Sequence, residues 1–265
     1  MMLTNLKKFL IITAGTIGFL LTISFLFVKS NSFFSRSLLE ERVITIDPGH
    51  GGIDSGSSHA GVTEKDITLA ISKVIAAELE KHGASVILTR TDDTDLWNEV
   101  SIEDEINYTK REYQEDLELG RSIDPRDKGI ALGNRRPPTY RLGLRARLLK
   151  AEANKSDILI SIHTNHFRSE SAKGAVTLYQ PHSLYSQRLA IAIQNQLNSL
   201  LPGRNAPGII ADDFFILRRS KIPTVIIEIG FVSNKHDREF MLSDEGQQAI
   251  ANAIARGIEE YFKGL

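Results

Sequence analysis

Four residues of this 265-residue chain have the types and settings to do chemistry together: His50, Glu64, His163 and Glu228. His50 lies in VITIDPGHGGIDSG (43–56), where an apolar alternating run stops at Pro-Gly-His-Gly-Gly. The missing side chains there leave room for an imidazole and a bulky substrate to share. Taken alone, such a turn reads equally well as a phosphate cradle or a tight bend. Glu64 falls in the first turn of an expected helix, whose positive end favours the ionised carboxylate that a metal requires. His163 closes the run DILISIH and so faces the crevice at a strand end, the usual ligand site of such sheets. His166 competes with it but sits past Asn165 in expected loop, and ranks below it. Glu228 interrupts the apolar run PTVIIEIGFVSN, and a buried carboxylate needs a partner: a cation, a metal-bound water or a hydrogen-bond donor. The cations near it in the chain are Arg218, Arg219 and Lys221.

Two histidines and a glutamate supply three protein ligands and leave a fourth position open, the pattern of a catalytic rather than a structural zinc site. Zinc lowers the pKa of a water to about 7 and polarises a carbonyl. Desolvation raises a carboxyl toward neutrality, which suits Glu228 to take a proton from water and pass it to a leaving nitrogen. The residues alone therefore point to a zinc amidohydrolase. Asp47, Asn165, Arg218 and Asn234 are expected to support this set or touch substrate, Asp47 either by orienting His50 or by capping its turn. His59, His82, His182 and His236 stand in polar or helix-end contexts and read as surface residues.

Composition narrows the rest. The chain has no cysteine, which excludes disulfides and thiolate metal sites. With 33 acidic and 32 basic residues it lacks the basic excess of a nucleic-acid binder. Lys7 and Lys8 precede Phe9–Val28, an uncharged apolar run closed by Lys29. As a helix that run is about 30 Å long, enough to span a bilayer's hydrocarbon core. Residues 1–30 are therefore read as an uncleaved signal anchor in the cell membrane, with a cleaved, secreted form as the alternative. The leading lysines place that end in the cytoplasm and the remainder outside. Residues 31–42 read as a polar linker.

From Val43 onward strands and helices alternate. Strands are expected at Val43–Ile46, Ser85–Thr89, Ile158–Ile162, Gly174–Tyr179 and Thr224–Ile229. Helices are expected at Glu64–His82, along Leu142, Ala146, Leu149 and Ala153, along Leu189, Ile193, Leu197 and Leu200, and around Ile250, Ile254, Ile258 and Tyr261. Thr63 and Asp66 have capping-box spacing, and Gly83 stops the first helix. This order implies an α/β fold over 43–265, one domain with a twisted, mostly parallel or mixed sheet and helices on both faces. Asp92–Tyr140 breaks the rhythm, with thirteen acidic against seven basic residues and the sole tryptophan, Trp97. It reads either as a solvated surface excursion or as a lid, blocking helix or docking element.

IDPGHGG (46–52), TEKDITLAIS (63–72), ILISIHTN (158–165) and IEIGFVSN (227–234) together resemble the four blocks of the type 3 family of zinc-dependent N-acetylmuramoyl-L-alanine amidases. Carried over by position, the resemblance implies one Zn²⁺ bound by His50, Glu64 and His163, with Glu228 as the catalytic carboxylate. It also implies a peptidoglycan substrate, cut between the lactyl group of N-acetylmuramic acid and L-alanine. A single anchor without wall-binding repeats is similar to the spore-cortex branch. Asp92–Tyr140 sits where other members carry a helix that blocks the site until an activator protein removes it. Its acidic balance would repel anionic wall polymers; its basic GNRRPP end would pair with stem-peptide carboxylates. Both readings stay open at this level.

Overall fold

Alternation in the first strand, β1 (Val43–Pro48), separates two environments: Ile44 and Ile46 enter a large apolar core, while Thr45 and Asp47 are buried as polar side chains on the opposite face. The same division repeats in β5 (Ile158–Asn165) and β8 (Thr224–Phe231). Ile158, Ile160, Ile162, Val225, Ile227 and Ile229 join that core, which leaves Ser161 and His163, and likewise Ile226 and Glu228, for the other side. The computed structural model describes residues 37–200 and 208–265. Phe9–Val28 lies outside them, and among the described residues no helix is long and apolar enough to cross a membrane. Leu39–Leu265 forms one compact unit.

With β4 (Ser85–Leu88), β6 (Val176–Tyr179) and β7 (Gly208–Ala211), these strands make a six-stranded sheet ordered β4-β1-β5-β8-β6-β7. The first four strands are mutually parallel, β6 runs antiparallel to β8, and β7 is parallel to β6, so the sheet is mixed. A separate two-stranded ribbon joins β2 (Ser58–His59) to β3 (Val62–Thr63). Helix α1 (Glu64–Lys81) buries Ile67, Ile71, Ile75 and Leu79 in the large core, beside α5 (Leu184–Leu200) and α8 (Asp244–Lys263). Each such side chain removed from water contributes roughly 1.5–3 kcal/mol. The opposite face is covered by α4 (Thr139–Ala153) and α6 (Phe215–Arg219), through Leu148, Ala151 and Ile216 against Leu159. Outside Asp92–Tyr140, the elements β2, β3, β7, α6 and α7 (Lys235–Leu242) have no counterpart in the sequence reading.

Local signals were partly overruled. Thr63 occupies the N-cap of α1 but makes no capping bond; its hydroxyl donates instead to Asp66 at 2.5 Å. The first amides of α1 are taken by the loop before it, Glu64 N–H by Ser57 O at 2.8 Å and Lys65 N–H by Ser55 O at 3.2 Å. Gly83 does end the helix, in left-handed conformation at φ 88°. The stripe expected on α4 is real at Leu142 and Ala146, but it packs on Leu96 and Val100 rather than on the sheet, and Ala153 is exposed.

That covering turn belongs to the segment Asp92–Tyr140, which is not a solvated excursion. It holds a 3-10 turn at Trp97–Glu99, α2 (Ile102–Glu118) and α3 (Pro125–Ala131). Glu105 and Asp127 of these helices are fully buried. Arg141 of α4 donates to Glu105 at 2.6 Å and to Asp127. Arg145 donates to Glu105 at 2.7 Å and to Glu112 at 2.6 Å, and Arg219 of α6 to Asp116 at 2.8 Å and Asp127 at 2.5 Å. The Phe215 ring lies 4.4 Å from the Arg141 guanidinium. Buried charges are tolerable only when paired this completely.

Candidate metal centre

The strand β1 ends at Pro48 and the chain turns through Gly49 into His50, whose φ of 61° is the left-handed region that a non-glycine residue enters only under constraint. Constraint comes from two buried arginines. Arg147 of α4 donates to the Pro48 carbonyl at 2.8 Å and the His50 carbonyl at 2.6 Å. Arg90, just after β4, donates to the Gly49 carbonyl at 2.9 Å. The glycines here accommodate protein rather than substrate, contrary to the expectation from the turn alone. A Cβ on Gly49 would lie 2.4 Å from His163 Cε1, and one on Gly56 would lie 2.6 Å from His50 Cδ2 and 2.7 Å from Glu64 Oε2.

In this setting His50, Glu64 and His163 converge, their ligand atoms all within 4.8 Å of one another. Glu64 Oε1 lies 3.1 Å from His50 Nε2 and 3.0 Å from His163 Nδ1. The other carboxylate oxygen is fixed by Ser57, whose amide and hydroxyl each donate to Oε2 at 2.9 Å. On its far side the His50 ring meets Asp54, Nδ1 to Oδ2 at 2.8 Å, an arrangement that fixes ring orientation for a ligand nitrogen. Burial pushes the Glu64 carboxyl up, but hydrogen bonds from His163 and His50 outweigh it and hold the group well below the usual carboxylate range. Burial likewise opposes a charge on His50, yet Glu64 and Asp54 raise it above the ordinary histidine value. An anion held between two imidazoles, in a frame fixed by backbone and side-chain donors, is a donor set that can hold a metal ion.

Glu228 stands opposite His163 in the register of β5 and β8. Its Oε2 is buried with no hydrogen-bond partner. Burial raises its pKa; His163 opposes this, Glu64 adds to it and His50 opposes it, with the balance above the ordinary value. None of the three cations near it in the chain answers it. Arg218 pairs with Asp213 at 3.0 Å and Asp124 at 3.2 Å, Arg219 serves Asp116 and Asp127, and Lys221 meets Glu152 at 3.3 Å.

The supporting residues expected from the sequence fall elsewhere. Asp47 does not touch His50: fully buried, it accepts from Thr89 at 2.5 Å, Ser161 at 2.6 Å and Arg147, and acts on the turn through that arginine. Asn165 accepts from the His166 amide at 2.8 Å, and Asn234 caps α7 by accepting from the Asp237 amide at 3.0 Å while donating to the Glu170 carbonyl at 2.6 Å, so both serve backbone. His166 is exposed and outside the convergence, as are His182 and His236. His59 and His82 are half-buried in carboxylate contacts with Glu170 and Glu259. Asp54, Ser57, Arg90 and Arg147 were not anticipated. The one signal in the sequence was the Arg-Ala-Arg of 145–147 inside an apolar helix, where a buried cation requires an anion.

The His-Glu-His group opens on a cleft of about 480 Å³ walled by His50, His163, Trp97, Tyr140 and Arg147. No residue of α2 or α3 lines it, so neither helix of the insertion plugs the cleft.

Residues 44–260 match the family described as N-acetylmuramoyl-L-alanine amidase. Among curated proteins, the uncharacterized protein YqiI of Bacillus subtilis (strain 168) is 32% identical over 226 residues, 84% of this chain and 86% of the relative. The germination-specific N-acetylmuramoyl-L-alanine amidase of the same organism is 27% identical over 256 residues, 96% of this chain and 94% of the relative. Among solved structures, the CwlD amidase from Clostridioides difficile in complex with the GerS lipoprotein matches with a TM-score of 0.67 at 29% identity, over 85% of this chain and 100% of that one. The amidase AmiC2 of Nostoc punctiforme matches with a TM-score of 0.62 at 27% identity, over 84% and 97%.

Proposed function

Since the chain belongs to the N-acetylmuramoyl-L-alanine amidase family and hydrolyses a peptidoglycan amide, we propose that His50, Glu64 and His163 hold one zinc ion and that Glu228 moves the proton of that hydrolysis. The observation that carries this reading is Glu228 Oε2, buried and unpartnered beside the His-Glu-His set. A zinc ion so held supplies a Lewis acid that polarises a carbonyl and makes water more acidic. Glu228, raised above the ordinary carboxylate range by burial, accepts a proton from water at Oε2 and releases it to the L-alanine nitrogen as the amide opens. Asp54 occupies His50 Nδ1 and leaves Nε2 for the metal side.

The location and control of the reaction are part of the proposal. Phe9–Val28, with lysines before it, supports a membrane anchor that holds the catalytic unit on the wall side. The germination-specific relative supports a role in germination, and the relative solved with a lipoprotein supports an activator protein for this chain. The test supplies purified peptidoglycan to the zinc-loaded protein. Free L-alanine amino termini should appear, and should be lost on chelation and in Glu228→Gln; new reducing sugar ends or cuts within the stem peptide would overturn the assignment.

A further inference from the structure

A second cleft of about 330 Å³ adjoins the metal cleft, sharing Tyr140 and Leu144 with it at the start of α4. One wall comes from the insertion and the other from the segment before α6. Four arginines line it, Arg126, Arg135, Arg141 and Arg218. Three are already neutralised by protein carboxylates: Arg126 by Asp124, Arg141 by Glu105 and Asp127, Arg218 by Asp124 and Asp213. Arg135 pairs with no carboxylate among the described residues, although its stem is held against α3, where a Cβ on Gly129 would lie 3.2 Å from Arg135 Cβ. Asp212, on the facing wall, likewise has no ion-pair partner among the described residues. The cleft therefore presents one unanswered guanidinium and one unanswered carboxylate, and the exposed rings of Tyr140 and Phe214 also line it.

We propose that this second cleft receives the stem peptide beyond the scissile amide, with Arg135 pairing a free carboxylate of that peptide. The inference rests on the amidase reading above. A guanidinium fork is matched to a carboxylate, and its pairing is strongest where the fork is not already occupied by protein. An anionic wall polymer fits the cleft poorly, because Asp212 and Asp213 share the wall it would approach. A peptide that carries both carboxylates and an amine answers both unpaired groups. Placing this arginine in the insertion also gives that segment a part in substrate choice that does not require it to cover the metal.

The experiment compares two muropeptide substrates that differ only in amidation of the stem-peptide carboxylates. The readout is the ratio of kcat/KM for the free acid to that for the amide. Arg135→Gln should lower this ratio about tenfold, the scale of one lost charge-assisted hydrogen bond. Arg136→Gln, adjacent in the chain and beside Arg135 in a neighbouring hollow but absent from the lining of this cleft, should leave it unchanged. The free stem peptide, titrated calorimetrically into Glu228→Gln protein, should bind about tenfold more weakly when Arg135→Gln is added. A ratio unmoved by Arg135→Gln, or an equal drop in Arg136→Gln, overturns the subsite while amide cleavage stands. Equal calorimetric binding of the free stem peptide with and without Arg135→Gln overturns the subsite as well, whereas cleavage of either muropeptide within its stem peptide rather than at the lactyl amide overturns the amidase reading and the subsite with it.

Discussion

Arg147 Nη2 donates to the carbonyl oxygen of His50 across 2.6 Å, so a helix on one face of the sheet holds the backbone of His50 where the chain leaves the end of β1. The same guanidinium takes the Pro48 carbonyl and the Asp47 carboxylate. Asp47 in turn is held below the usual carboxylate range: burial pushes it up, but Arg147, Ser161 and Thr89 outweigh that. The left-handed His50 is thus kept in place by a buried ion pair rather than by strand pairing.

Arg147→Lys keeps the charge but loses the fork that spans three acceptors. Outer partners of a metal ligand typically account for 10–100-fold in affinity. We expect zinc affinity to fall by about that factor while the far-ultraviolet circular dichroism is retained, as measured by competition with a chromophoric chelator. An affinity unchanged from the unaltered protein would remove Arg147 from any role in positioning His50.

His50, Glu64, His163 and Glu228 were legible because each breaks a local pattern: a histidine among glycines, an acid in a helix's first turn, a histidine at a strand's end and a carboxylate in an apolar run. Arg147 was not, since Asp47, its partner, lies 100 positions away. On a helix whose apolar stripe is plain, Arg141, Arg145 and Arg147 look like solvated charges until the insertion and the turn are folded against them. Of the two readings of the insertion, the solvated excursion fails for the same reason, because Glu105, Asp116 and Asp127 face buried arginines of α4 and α6 rather than solvent.

Glu228→Gln preserves shape and removes the titrating oxygen. General acid–base groups contribute about 10²–10⁴-fold, so kcat for amide cleavage should drop within that range. Zinc content, measured on the same samples, should stay at that of the unaltered protein, because Glu228 is outside the ligand set. Loss of the metal along with activity would make Glu228 a ligand and not a proton carrier.

Gly56 and Gly61 separate backbone strain from crowding. Both have positive φ, 63° and 79°, but a Cβ on Gly61 meets nothing within 4 Å, whereas one on Gly56 strikes His50 and Glu64. Gly61→Ala should destabilise by about 1 kcal/mol through strain alone. Gly56→Ala should cost more in urea unfolding and also abolish stoichiometric zinc binding. Equal metal content in the two variants would contradict the packing assigned to Gly56.

The insertion's anchorage predicts an asymmetry between two glutamates of α2. Glu105 is fully buried between Arg141 and Arg145, while Glu115 pairs with Arg121 in the open. Removing one partner of a buried pair costs roughly 3–5 kcal/mol because the other charge is left uncompensated, whereas an exposed pair contributes about 0–1 kcal/mol. Glu105→Gln should therefore shift the denaturation midpoint strongly and Glu115→Gln hardly at all. Similar midpoints for the two would mean that α2 is not held by the buried lattice.

His82, at the end of α1, joins α8 through Glu259 at 2.7 Å and meets Glu78 at 3.4 Å. The Glu259 hydrogen bond, against partial burial, raises its pKa above the ordinary 6.5, with Glu78 adding to the effect. A folded-state pKa above the unfolded one means that folding favours the protonated ring. That stabilisation is fully present below pH 6.5 and is lost as pH rises through the folded value. Thermal midpoints of the unaltered protein and of His82→Gln should differ most below pH 6.5 and converge as pH rises through the folded value, the difference shrinking in high salt because the pair is partly exposed. A gap that widens with pH would reverse the sign and exclude the carboxylate pairing as its source.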